Sequence, residues 1–170
     1  MNQANLLASS DRVIIAAFEN EFAQLHLRYC SLIRATPESD IYHSLGQSDG
    51  RSLPSVGESV LRGVAAVEQT FGGITANLWD DPFEWTLPEI LSTAARIVEY
   101  LEEVESTRRL AFASFLRDED LLKEIMLPSE ETRALVDLLV LTLVKAAESY
   151  GRAAAARSLL SETMTPEVSA

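Results

Sequence analysis

Apolar residues recur along this chain mostly at three- and four-residue spacing, the signature of amphipathic helices, and four long segments carry it. The first spans about Ser10 to Arg34. Its row Val13, Ala16/Ala17, Phe22 (beside Ala23) and Leu25 follows the helical period loosely, which predicts burial on more than one side. Thr36-Pro37 ends it, because the residue before a proline avoids the α region. The second opens with Ser55-Val56-Gly57-Glu58, a capping box in which the serine accepts from a free backbone N–H and the glutamate reaches back to the cap. Val56, Val60, Gly63/Val64, Val67, Phe71, Ile74 and Leu78 then form one stripe, with the glycine an odd gap in it. The third opens with Thr86-Leu87-Pro88-Glu89, a second capping box with proline in its first turn, and runs to about Leu116 along Ile90, Ala94, Ile97, Leu101, Val104 and Arg108. The fourth starts near Ser129, with Glu130 and Glu131 placed for the helix dipole, and runs to about Ser161 before a frayed tail over 162–170.

The connections suggest how the helices are arranged. The short segment around Asp80-Asp81-Pro82-Phe83-Glu84-Trp85 predicts that the second and third helices are antiparallel neighbours. The longer stretches over 36–53 and 117–128 predict crossovers. The expectation is an all-α, single-domain chain over residues 1–170, a four-helix bundle in up-up-down-down order with long crossover loops.

Composition narrows the partners. The net charge is −12 without a basic run, so neither nucleic acid nor an anionic membrane surface is an expected partner. The most apolar stretch, Ala134 to Ala147, is interrupted by Asp137 and Lys145 and is too short to span a bilayer. A single cysteine, Cys30, forbids an intramolecular disulfide, and the N-terminal residues carry no secretory pattern, so the expected compartment is the cytoplasm.

Candidate chemistry is sparse. Phosphate-cradling loops, C-x-x-C and H-E-x-x-H are absent, and neither histidine belongs to a Glu-x-x-His pair: Ala23 precedes His26 and Asp40 precedes His43 at that distance. His26, between Leu25 and Leu27, reads as a partly buried histidine bonded locally, with a base or ligand as the alternative. His43 reads as a solvated loop residue. Cys30 reads as a small buried hydrophobe rather than a nucleophile. Trp79 and Trp85 are expected to close one end of the bundle, Glu99 to Glu105 to form a solvated acidic face, and Arg108-Arg109 to pair with that face.

The stretch Ser55 to Phe71 resembles the second helix of the DinB/YfiT-like family of four-helix bundles. That family carries Ser-x-Gly-Glu, then a leucine, a histidine, and a glutamate five residues after it. Ser55, Gly57, Glu58, Leu61 and Glu68 fit that frame, and residues 86–125 are similar to the family's third helix and the segment after it. The resemblance covers about residues 6–160 and implies a bundle holding a divalent zinc or nickel ion on three histidines, one from the second helix and two from the fourth. It also implies thiol-dependent transferase or hydrolase chemistry, a small-molecule ligand, and a second copy of the chain as partner.

The departures fall on the metal ligands. The helix-two histidine position is Gly63, and the fourth helix contains no histidine, its two ligand positions falling near Glu148 and Arg152. The expectation is therefore a bundle without the family's metal or any other cofactor, acting as a small-ligand-binding or interaction module around Gly63, Glu68, Glu148 and Arg152. The alternative is an active transferase or hydrolase with a non-standard site. Glu148 and Arg152, one turn apart on the apolar row Leu141, Val144, Ala155 and Leu159, are expected either to form a partly buried pair at the vacant position or to be an ordinary surface pair. A carboxylate site from Glu58, Glu68 and Glu148 is a weaker alternative, because Glu58 is better explained by capping.

Overall fold

The structure, a computed structural model, describes residues 11–43, 47–48, 51–82 and 89–163. Four long helices carry it: α1 (Val13–Arg34), α3 (Val56–Ala76), α4 (Ala94–Ser114) and α5 (Leu135–Thr163). A short helix α2 (Glu38–Ile41) and a two-residue hairpin, β1 (Gln47–Ser48) with β2 (Arg51–Ser52), lie between α1 and α3. A 3-10 turn (Asp118–Leu122) and a second hairpin, β3 (Glu124–Met126) with β4 (Thr132–Ala134), lie between α4 and α5. The described residues are thus mostly helical, and no helix among them is long and apolar enough to cross a membrane.

The start of α3 is as the sequence predicts. Ser55 Oγ accepts from Glu58 N at 3.2 Å, and Ser55 N donates to Glu58 Oε2 at 2.8 Å. The helix ends at Asn77, which adopts the left-handed conformation at φ 56°. The other two predicted starts move. Residues 86–88 of the second capping box lie outside the described residues; Glu89 and Ile90 form a turn, and α4 begins at Ala94, where Thr93 Oγ1 accepts from Arg96 N. The segment expected to open the fourth helix instead turns the β3–β4 hairpin, with Glu130 at φ 63° and Leu127 N donating to Glu131 O. Glu130 and Glu131 therefore do not serve a helix dipole. At the far end α5 runs through Thr163, into the stretch expected to fray.

α1 begins without a side-chain cap of its own. Asp118, on the 3-10 turn, supplies one: its carboxylate accepts from Ile14 N at 3.0 Å and Ile15 N at 3.0 Å. Arg12 in turn donates to the carbonyls of Phe112 and Phe115 at the end of α4.

Paired residues fix the helix directions. Arg12 meets Phe115 and His26 meets Glu102, so α1 and α4 run antiparallel. Thr70 meets Thr142 and Gly63 meets Ser149, so α3 and α5 are antiparallel. Tyr42, packed against Gly57 at the start of α3, donates to Leu91 O just before α4, and Phe71 packs at a tilt against Phe112, so α3 and α4 run parallel. The order is up-down-down-up, which corrects the up-up-down-down expectation. The 77–93 connection is long enough to run back along the molecule: fully extended it reaches ~55 Å, against ~32 Å for a helix the length of α3.

Two apolar clusters fill the interior. One gathers Ile15, Phe22, Phe71, Phe112, Phe115, Leu135 and Leu139. The other gathers Leu25, Tyr29, Ile33, Val60, Leu61, Ile97, Leu101, Ala146 and Ala153. α1 buries Ile15, Phe22, Leu25, Tyr29, Cys30, Leu32 and Ile33, while Val13 is exposed.

Candidate functional site

The gap at Gly63 is filled from another helix. A Cβ at this position would collide with Oη of Tyr29, which projects from α1, and would lie 2.9 Å from Ser149 Cβ on α5. Tyr29 is buried; its Oη donates to Ala146 O at 2.6 Å and its ring meets that of Tyr150 edge-on at 5.6 Å. Burial pushes the Tyr29 hydroxyl up, which keeps it a neutral donor. The position to which the family resemblance assigns a histidine therefore has no room for one. With Tyr29 seated there and no histidine on α5, these residues do not fit a three-histidine metal site.

The residues expected around Gly63 are dispersed. Glu148 and Arg152 do pair, at 3.3 Å, but with side chains 60% and 57% exposed. They face solvent together with Leu141, Val144, Ala155 and Leu159, so this is an ordinary surface pair. The packed face of α5 is instead Leu135, Leu139, Thr142, Ala146, Ser149, Ala153, Ala156 and Leu160. Its small residues let α3 come close. Glu68 accepts a hydrogen bond from Tyr100 Oη on α4. Burial, and then that bond, push the Tyr100 hydroxyl up. Glu58 is occupied by the cap of α3, so the three carboxylates do not converge.

The acidic face of α4 is not wholly solvated. Glu105 is buried and grips Arg108 in a two-pronged pair, Nε to Oε2 and Nη2 to Oε1, both at 2.7 Å. Arg109 Nε donates to the same carboxylate at 2.8 Å, and the Arg108 guanidinium lies 5.2 Å from the Phe112 ring centre. Burial pushes the Glu105 carboxyl up, but the hydrogen bond and charge of Arg108, and then the hydrogen bond from Arg109, outweigh it and hold the group below the usual carboxylate range. A cavity of about 30 Å³ beside this pair, lined also by His26 and Tyr29, has room for about one water and none for a ligand. His26 itself faces Cys30 on its own helix and Glu102 on α4. His43 is exposed, as expected.

A larger recess lies where α3 and α5 meet the β3–β4 hairpin. It encloses about 410 Å³ and is lined by Gln69, Thr70, Trp79, Ser129, Arg133 and Lys145, among others. Trp79 is held over Gly73, whose missing Cβ makes room for the ring, and Gln69 Nε2 donates to Trp79 O at 2.8 Å. Thr142 Oγ1 spends its proton on Leu138 O, so in the 2.7 Å contact between the two threonines Thr70 is the donor. Arg133 is engaged by Glu131 at 3.0 Å, whereas Lys145 makes no ion pair among the described residues. Trp85, expected beside Trp79 at the bundle end, lies outside the described residues.

Tyr29, Glu102 and the Trp79–Lys145 recess escape a reading of the sequence because each depends on which helices meet. The His26–Cys30 spacing of one helical turn is the only local signal for any of them. No protein-family model, no curated protein and no solved structure matches this chain.

Proposed function

We propose that this chain is a DinB-like four-helix bundle that has exchanged the family's metal position for packing and serves as a binding module for small anionic molecules. The seating of Tyr29 against Gly63 supports the first half of that reading, because it fills the place that the resemblance assigns to a metal-binding histidine. The recess between α3, α5 and the hairpin supports the second half. Its volume of about 410 Å³ is that of a small-ligand pocket, and Lys145 offers a cation with no ion-pair partner among the described residues, in a chain of net charge −12. Trp79 gives an apolar wall, and Thr70, Gln69 and Ser129 give polar contacts. Aromatic carboxylates match that lining.

Titration with benzoate and its larger aromatic analogues, followed by Trp79 fluorescence in a Trp85→Phe background, tests the reading. It predicts saturable one-site binding weakened at least about tenfold by Lys145→Glu, one lost charge contact being worth about 1.4 kcal/mol or more. No saturable binding across the series, or binding indifferent to Lys145→Glu, sinks it.

A second reading, an interaction module, draws on the outward face of α5. Leu141, Val144 and Leu159 are 39%, 49% and 44% exposed on one helix face. Light scattering of the purified chain tests self-association, and a monomer across the micromolar range counts against a second copy as partner.

A further inference from the structure

Away from Gly63 and from the recess, three residues of different chemistry converge on the side of α1 that meets α4. His26 and Cys30 are one helical turn apart on α1, and Glu102 reaches them from α4. His26 Nε2 lies 3.7 Å from Cys30 Sγ and 3.5 Å from Glu102 Oε2, and one ligand atom from each of the three falls within 4.8 Å of the others. Metal bonds of about 2.0–2.3 Å at tetrahedral angles separate neighbouring ligand atoms by about 3.3–3.6 Å. The two separations at His26 are within a few tenths of an ångström of that requirement, and Cys30 and Glu102, whose ligand atoms lie within 4.8 Å of each other, complete the triangle with a small movement of the exposed Glu102 side chain.

We propose that His26, Cys30 and Glu102 form a binding site for one divalent transition-metal ion of the zinc and cobalt class. The donor set selects the class. A thiolate and an imidazole favour borderline-soft ions over magnesium or calcium, which take oxygen ligands. Cys30 thiolate and Glu102 carboxylate together balance a dication, so the ion brings no net charge into a partly apolar wall. Three protein ligands leave a fourth position for water or a small ligand, the arrangement of zinc sites that do chemistry rather than brace a fold. Glu102 supplies access to solvent, with its side chain 56% exposed, while His26 is only 12% exposed and Cys30 is buried.

The surroundings support the ligands. Glu102 turns one oxygen toward His26 and the other toward Arg34, whose Nη2 lies 3.9 Å from Oε1 in an exposed pair, so the oxygen that faces the cluster is left open for an ion. Both α1 ligands sit on a helix whose next turns bury Leu25, Tyr29 and Ile33, which holds the His26–Cys30 pair at a fixed spacing. The site shares no residue with the metal position implied by the family resemblance, and it is independent of ligand binding in the recess.

Cobalt titration of the untagged, chelator-stripped full chain is the test. Because Cys30 is the only cysteine, a thiolate-to-cobalt charge-transfer band reports this site alone. The expected result is a band that saturates at one ion per chain and is bleached by one equivalent of zinc. Cys30→Ser removes the band, His26→Ala and Glu102→Gln each weaken cobalt binding at least tenfold, and Glu148→Gln leaves it unchanged. Glu102→Gln alters an exposed side chain, so it keeps the test decisive if a change at buried Cys30 impairs folding; circular dichroism monitors that. Absence of the band at saturating cobalt overturns the proposal, as does a band that both His26→Ala and Glu102→Gln leave intact.

Discussion

Tyr29 on α1 stands where a side chain at Gly63 on α3 would go, and its hydroxyl reaches past that glycine to Ala146 on α5. One aromatic residue thus joins three helices at a point where the second-helix glycine alone would suggest a void. Gly63→Ala should destabilise the fold by about 1–3 kcal/mol through overpacking, even though alanine is the better helix former by about 1 kcal/mol. In a Tyr29→Leu background, where the colliding hydroxyl is gone, the same substitution should cost less. Chemical denaturation of the four-member cycle checks this; additive effects would show that Tyr29 is not the obstacle.

Glu105 and Arg108 lie along α4 between the two apolar clusters, and each is buried with the other as its main partner. Arg108→Met should cost about 3–5 kcal/mol, since it leaves a buried carboxylate with only the exposed Arg109 to answer it. Replacing both, Glu105→Leu with Arg108→Met, should recover most of that loss. Thermal melts of the two variants separate the cost of an orphaned charge from the worth of the pair.

How much of the fold is legible in the sequence depends on distance along the chain. The capping box at Ser55 and the stripe from Val56 to Ile74 are local, and the structure holds them as the sequence predicts; the helix stops at Ala76, however, so Leu78, the last residue of the expected stripe, falls beyond it and is exposed. The start of α4 differs: Thr86 and Thr93 both precede helix-compatible runs, and Thr93 is the one that caps the observed helix. On α5, side-chain size points to the wrong face. The packed side carries alanines and serine so that α3 can approach, and the larger Leu141, Val144 and Leu159 face outward. Glu105 reads as one of a solvated series because nothing near it in sequence shows that the chain folds over it. Arg108 and Arg109 are readable as its partners, being three and four residues away.

Acid should loosen the connection between α4 and α5 first. At Asp118 desolvation pushes the carboxyl up, but the backbone N–H groups of Ile14, Ile15 and Val13 more than offset it and the group lies below the usual range. Asp120 is pulled down to about 2, by Lys123 first and then by the N–H groups of Arg117 and Leu116. Both folded-state values are depressed, so their contribution is complete above the unfolded value of about 4 and disappears as pH falls through the folded values. Melting temperature should therefore drop between about pH 4 and pH 2, and Asp118→Asn should flatten part of that slope. An unchanged slope in the variant would show that the cap does not titrate with folding.

Gly73→Ala should disturb the recess rather than the core, because a Cβ there meets the six-membered ring of Trp79. The expected readout is a red-shifted Trp79 emission in a Trp85→Phe background with a modest stability loss of about 1–3 kcal/mol. Emission unchanged from the parent would mean that the ring is free to shift without leaving the glycine.

The first long helix of this protein is completed by a residue made more than a hundred positions later. The groups that cap it, Asp118 and the carbonyls that receive Arg12, are translated only with the end of α4 and the turn after it. Closing that contact fixes a loop of most of the chain at once, so α1 gains its full stability late and together with the rest. A nascent chain halted before residue 118 should hold α1 in rapid exchange with solvent, and completion of the chain through α5, against which Tyr29 packs, should protect it.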